Sequence, residues 1–143
     1  MREIPLKILG AEQIKAMTAD ISDLSPSEQT TEGQRRNAAY AAYVEKYGQP
    51  IDYRKQIVSL LINPAKELTS MEVRQLGKLA DKIDDAAGES ILLEEVDFQH
   101  ILQVIRSTKF LSASRNVRQF LDDIEGAATV EVAKVTPVES QLA

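Results

Sequence analysis

Two helix-capping boxes and a series of stop residues cut this sequence into short helices. In Thr69-Ser70-Met71-Glu72 a threonine and a glutamate stand three residues apart. At that spacing each side chain satisfies a free N–H at the other's position in a first helical turn. Ser25, Pro26 and Glu28 repeat the arrangement, with proline in the first turn, where its missing donor costs nothing. Gly48 and Pro50, Asn63-Pro64, Gly88 and Gly126 are stops. The segments left between these marks are short.

Apolar spacing inside the segments is helical. Ile14, Met17, Ile21 and Leu24 form a narrow stripe over residues 11–24, too short for a coiled coil and suited to docking on a core. The next helix begins at the Ser25 cap or only after Gly33, and runs to Tyr47. Its Tyr40, Tyr43, Val44 and Tyr47 share one face, read as a core face, with an exposed binding patch as the rival reading. Residues 53–62 are apolar nearly all round at their end, which places that end centrally. After Thr69, one face carries Val73, Leu76, Leu79, Ala80, Ile83 and Ala87. A brief extended link, Ser90–Leu93, leads to a helix from about Glu94 to Arg106 with Phe98, Ile101, Leu102 and Ile105 inward. A turn around Ser107–Ser112 precedes the last helix, whose apolar face is Val117, Phe120, Leu121 and Ile124.

The ends read differently. Residues 2–9 alternate loosely, and Pro5 lacks a ladder donor, so a strand there belongs at a sheet edge. TVEVAKV, before Pro137, also alternates; it either pairs with residues 2–9 or extends onto a partner. The expected fold is therefore all-α: a small bundle of five or six short helices with strand-like or extended terminal segments. Residues 1–10 are a strand or arm, 11–126 the helical domain with 51–126 its best-defined part, and 127–143 an arm or edge strand.

Chemistry-bearing constellations are absent from the pattern. With no cysteine in 143 residues, disulfides, thiolate nucleophiles and cysteine-ligated zinc are excluded, which fits a reducing compartment. The single histidine, His100, has Asp97 three residues earlier to seat it, but a boundary histidine is the simpler reading. Asp81, Asp84 and Asp85 read as a solvated helix face rather than a hard-cation site. The six glycines do not cluster into a phosphate-cradling loop. The expectation is a chain that is not an enzyme, with no catalytic residue, metal or cofactor. No stretch reaches the ~18 apolar residues of a membrane span, and no basic segment precedes an apolar one as in a secretory signal.

Charge is the informative quantity. The net charge of -5 hides strong segregation: residues 63–98 hold four basic and nine acidic side chains, and residues 99–121 four basic and none acidic. Local polarity of this kind selects partners. The candidate partner-binding residues are Arg106, Lys109, Arg115, Asn116, Arg118 and Gln119. One reading makes them a protein-binding surface. The other makes residues 94–125 a helix-turn-helix-like pair of a nucleic-acid-binding or host-takeover regulator, with Arg115, Asn116, Arg118 and Gln119 at base edges, or with acidic residues 81–97 mimicking nucleic acid. The link of about six residues is long for that motif, and Asp122, Asp123 and Glu125 on the same helix oppose phosphate contact.

Residues 51–126 also resemble small accessory or assembly proteins of tailed bacteriophages. The resemblance lies in element order: IDYRKQIVSLLINP as a short helix with an Asn-Pro stop, LTSMEVRQLGKLADKI as a capped amphipathic helix, then ILLEEVDFQHILQVI and SRNVRQFLDDIEGA as a closing pair. It covers about half the chain and carries no functional residue. It implies a non-enzymatic virion component or assembly factor, bound to phage structural proteins or to its own copies. That places it in the cytoplasm of a bacterial host or in the virion, neither secreted nor membrane-embedded.

Overall fold

The computed structural model describes residues 1–130. Along them run β1 (Arg2–Pro5), β2 (Ile8–Leu9), α1 (Ala11–Thr18), α2 (Pro26–Tyr47), β3 (Ile51–Asp52), α3 (Tyr53–Ile62), α4 (Ser70–Asp84), β4 (Ser90–Leu93), α5 (Glu95–Ser107), α6 (Arg115–Glu125) and β5 (Ala128–Thr129). The fold is mostly helical but not all-α. Its strands form two small antiparallel sheets, one in the order β4-β1-β5 and one of β2 with β3.

Both capping boxes close. Ser25 Oγ accepts from Glu28 N at 3.3 Å, while Glu28 Oε1 accepts from Ser25 N at 3.1 Å; Thr69 and Glu72 do the same at 3.2 and 3.1 Å. The first box starts α2 at Pro26 rather than after Gly33. The stripe expected over residues 11–24 is shorter: α1 ends at Thr18, where Arg36 of α2 donates to the carbonyls of Met17 and Ala19. These contacts satisfy acceptors that the helix end would leave open. Arg54 of α3 does the same for α4, donating to the carbonyls of Ile83, Asp84, Ala86 and Gly88.

The core gathers α3, α4, α5, α6 and β1. Tyr53, Ile57, Leu60 and Leu61 of α3 are buried, whereas Ile62 is exposed, so only one side of the end of α3 is central. Leu76, Leu79, Ala80 and Ile83 turn inward from α4; Val73, expected beside them, is 55% exposed. α5 adds Phe98, Ile101, Leu102, Val104 and Ile105. Neither α1 nor α2 contributes a fully buried residue. α2, at 22 residues and about 33 Å, packs mainly on α1. Its tyrosines are therefore not a core face, only half-buried.

β1 is a middle strand, not an edge. It pairs with β4 from Arg2↔Leu93 to Pro5↔Ser90, and with β5 at Arg2 and Glu3. The reason Pro5 is tolerated is positional. Leu6 N donates to Glu89 O on the β4 side, and Val130 N donates to Met1 O on the β5 side. In an antiparallel ladder successive residues point to alternate neighbours, so Pro5 faces the β5 side, beyond the last β5 pair. Ile4, on the face toward the helices, is fully buried. β5 pairs with β1 through Ala128 and Thr129, one of the two arrangements open to the segment after Gly126; TVEVAKV from residue 131 on and Pro137 lie outside the described residues. Among the described residues no helix is long and apolar enough to cross a membrane.

Ile4→Ala should lower unfolding stability by about 2–5 kcal/mol in a urea titration, the usual cost of a cavity in a packed core. A change below about 0.5 kcal/mol, typical of surface positions, would show that β1 is not part of the core.

Candidate functional site

The start of α6 is held from three sides. Ser114 caps it by accepting from Val117 N at 3.3 Å. Gly48, at φ +92°, abuts Ser114 so closely that any Cβ there would overlap the serine side chain. Asn116 is only 5% exposed. Its Nδ2 donates to Tyr43 Oη at 2.9 Å and to Gln49 O at 3.0 Å, pinning α6 to the end of α2 and the turn after it. Burial on α6 runs through Asn116, Phe120 and Ile124, with the expected Val117 and Leu121 only half-buried.

Asn116 was expected at a binding surface, and the structure places it in the interior. A base edge is out of its reach. Gln119 donates to Asp123 Oδ1 at 2.8 Å, and Asp123 also accepts from Tyr53 Oη at 2.6 Å and lies 3.0 Å from Lys7 Nζ. Burial acts to raise the Asp123 pKa, but the hydrogen bonds from Tyr53, Lys7 and Gln119 outweigh it and hold the carboxyl below its ordinary range. Burial, and then the Asp123 hydrogen bond, push the Tyr53 hydroxyl in the opposite direction.

The other four candidates are all at the surface. Arg106 lies in the last turn of α5, Lys109 in the 108–114 link, and Arg115 and Arg118 in the opening of α6; all are exposed. None takes part in an ion pair among the described residues. Arg115 stands 5.8 Å from the Tyr47 ring centroid, within range of a weak cation–π attraction. Leu111, in the middle of the link, is fully exposed. The first turn of α6 contains no acid. Two arginines three residues apart at a helix N-terminus oppose both the helix dipole and each other. Apart from the weak Arg115–Tyr47 contact, the fold gains nothing from that sign of charge in that place.

Sequence reasoning missed the half-buried tyrosine seat beneath this surface. Tyr43 and Tyr47 pack at 4.9 Å between centroids, and Tyr43 joins Asn116. The tyrosine spacing was visible, but its partner on α6 was not. A cavity of about 230 Å³ lies under the link, lined by Pro50, Ile51, Phe110, Val117 and Phe120 among others.

His100 lines a different cavity, of about 130 Å³, with Lys66, Glu72 and Gln103. That volume is below the ~300 Å³ at which small-molecule sites begin. Glu72 is committed to Lys66 and to its capping role, which lower its carboxyl to about 2, so it does not orient His100 as a base. Asp97, the one acid placed to seat His100 in the catalytic reading, lies 3.6 Å from Lys82. Among the described residues no group of three His, Cys, Asp or Glu side chains converges to hold a metal ion.

Asn116→Ala should cost about 1–3 kcal/mol of stability, the penalty for losing part-buried hydrogen bonds to the Gln49 carbonyl and the Tyr43 hydroxyl. Thermal unfolding followed by circular dichroism measures it, and an unchanged midpoint would contradict the anchoring role. No family model, curated protein or solved structure matches this chain.

Proposed function

We propose that this chain is a non-enzymatic protein-binding module, a phage-encoded virion component or assembly factor, which engages an acidic protein surface through the α5–α6 link. The observation that carries the reading is the placement of Arg115 and Arg118 at the start of α6 with no acid in that turn. Such a placement is unfavourable in the isolated chain. It becomes favourable once a partner's carboxylates arrive. Arg106 and Lys109 enlarge the patch, and exposed Leu111 offers an apolar side chain to bury inside a charged rim. Charges so arranged steer encounter and fix register. The phage context rests on the resemblance of residues 51–126 to small phage accessory proteins, and it carries with it a location in the bacterial host or the virion.

The same cations would serve a nucleic-acid-binding protein, but two features favour a protein partner. Asn116 is committed to the interior, which removes one of the side chains that would read bases. The link between α5 and α6 spans residues 108–114, longer than the tight turn that sets a recognition helix in a groove.

The test compares the native chain with Arg106→Glu, Lys109→Glu, Arg115→Glu and Arg118→Glu combined. The native chain should co-sediment with particles of the encoding phage or bind a purified structural protein of that phage, and the variant should lose at least tenfold in affinity. Equal binding by both overturns the assignment of the surface. A salt-dependent shift of duplex DNA, lost in the variant, would replace a protein partner with nucleic acid.

A further inference from the structure

A second helix end carries charge of the wrong sign, and it is the opposite sign. Asp84 closes α4 and Asp85 is its C-cap residue, although a helix C-terminus favours cations. Asp81 lies one turn earlier and Glu89 follows the helix. Arg54, bound to the carbonyls of this turn, and Lys82 bring positive charge there. Yet Lys82 is turned toward Asp97, and none of Asp81, Asp84, Asp85 or Glu89 joins an ion pair among the described residues.

The Lys82–Asp97 pair also ties the end of α4 to the first turn of α5. Two apolar residues nearby in the chain are exposed: Leu92 on β4, at 39%, and Val96 on α5, at 58%. The acidic end thus keeps Asp81, Asp84, Asp85 and Glu89 outside any ion pair among the described residues, against the one guanidinium of Arg54, while Glu95 and Asp97 are paired and Leu92 and Val96 are exposed on the elements that follow. α5 separates the two ends: it starts among the acids and carries Arg106 in its last turn, and its 13 residues span about 20 Å. No ion pair joins them within the described residues.

We infer that the partner of the basic surface is a second copy of this chain, whose acidic end at the α4 C-terminus and α5 N-terminus receives Arg115, Arg118 and Leu111. This deepens the function proposed above and rests on its reading of the basic surface. Two ends with misplaced charge of opposite sign relieve each other across a contact. The contact uses different surfaces on the two copies, so it is head-to-tail, and repetition builds a ring or an open filament.

Sedimentation velocity of the full chain tests this over a wide concentration range, at low salt and at about 1 M salt, where the screening length falls to ~3 Å. The mass should grow with concentration at low salt and return to a monomer at high salt. One variant, Arg115→Gln with Arg118→Gln and Leu111→Ser, disables the basic end. Another, Asp84→Asn with Asp85→Asn and Val96→Ser, disables the acidic end. Each should stay monomeric alone, because each keeps one intact surface. Their equimolar mixture should form a two-chain complex and nothing larger.

A native chain that is monomeric throughout overturns self-association, while binding to a phage structural protein in the preceding experiment would leave the proposed function standing. A dimer that survives the acidic-end substitutions, or a mixture that forms no complex, also overturns the head-to-tail contact.

Discussion

The orientation of the basic surface depends on one buried hydroxyl. Tyr53 has no exposed surface, and a hydroxyl in that environment must find an acceptor or carry a desolvation penalty. Its acceptor is Asp123 of α6, at 2.6 Å. The Tyr53 ring meets Phe120 of the same helix edge-on at 5.0 Å, and its backbone N–H donates to Lys7 O. One residue of α3 thus fixes the rotation of α6 and ties it to the segment between β1 and β2. With Phe120 and Asp123 turned inward, Arg115 and Arg118 have only the outer face. Asn116 then locks the same helix to α2. The surface is a consequence of the core, held at a rigid helix start.

What the sequence makes legible is local. The capping boxes, the Asn-Pro break and the glycine stop act within four residues, so α3 runs over the expected residues 53–62, α4 starts at its box and α6 stops at Gly126, whereas α4 ends at Asp84, short of the expected Ala87 and Gly88. The candidate surface is legible for the same reason, since the absence of acids over residues 99–121 needs no partner to be seen. Long-range pairings are not legible. The partner of Arg2 in the sheet is Leu93, and nothing in a four-residue run containing proline identifies that distant strand. Asn116 looks like any polar residue near a helix start; its partners lie 67 and 73 residues away. The tyrosines of α2 repeat at helical spacing whether they face a core or, as here, a seam with α6. Nor does the spacing of Asp97 and His100 show that Lys82, from another helix, faces that carboxylate.

The electrostatics divide into two kinds. Some charges serve the fold. Arg54 and Arg36 close helix ends, Glu28 and Glu72 complete capping boxes, and Asp123 receives a buried hydroxyl. Others work against it: cations at the start of α6 and carboxylates at the end of α4. Both break the local rule for charge at helix ends, offset only in part by Arg54 at the end of α4 and by the Tyr47 ring beside Arg115. The net charge of -5 averages over both kinds and conceals the pattern.

The central claim is that Arg115 and Arg118 serve a partner and not the fold. Equilibrium urea unfolding of Arg115→Glu with Arg118→Glu measures this directly, at a protein concentration low enough that association does not add to stability. Carboxylates at a helix N-terminus complement its dipole by about 0.3–1 kcal/mol each. The account therefore predicts a variant as stable as the native chain or more stable. A loss of about 2 kcal/mol or more, the mark of a structural role, would contradict it.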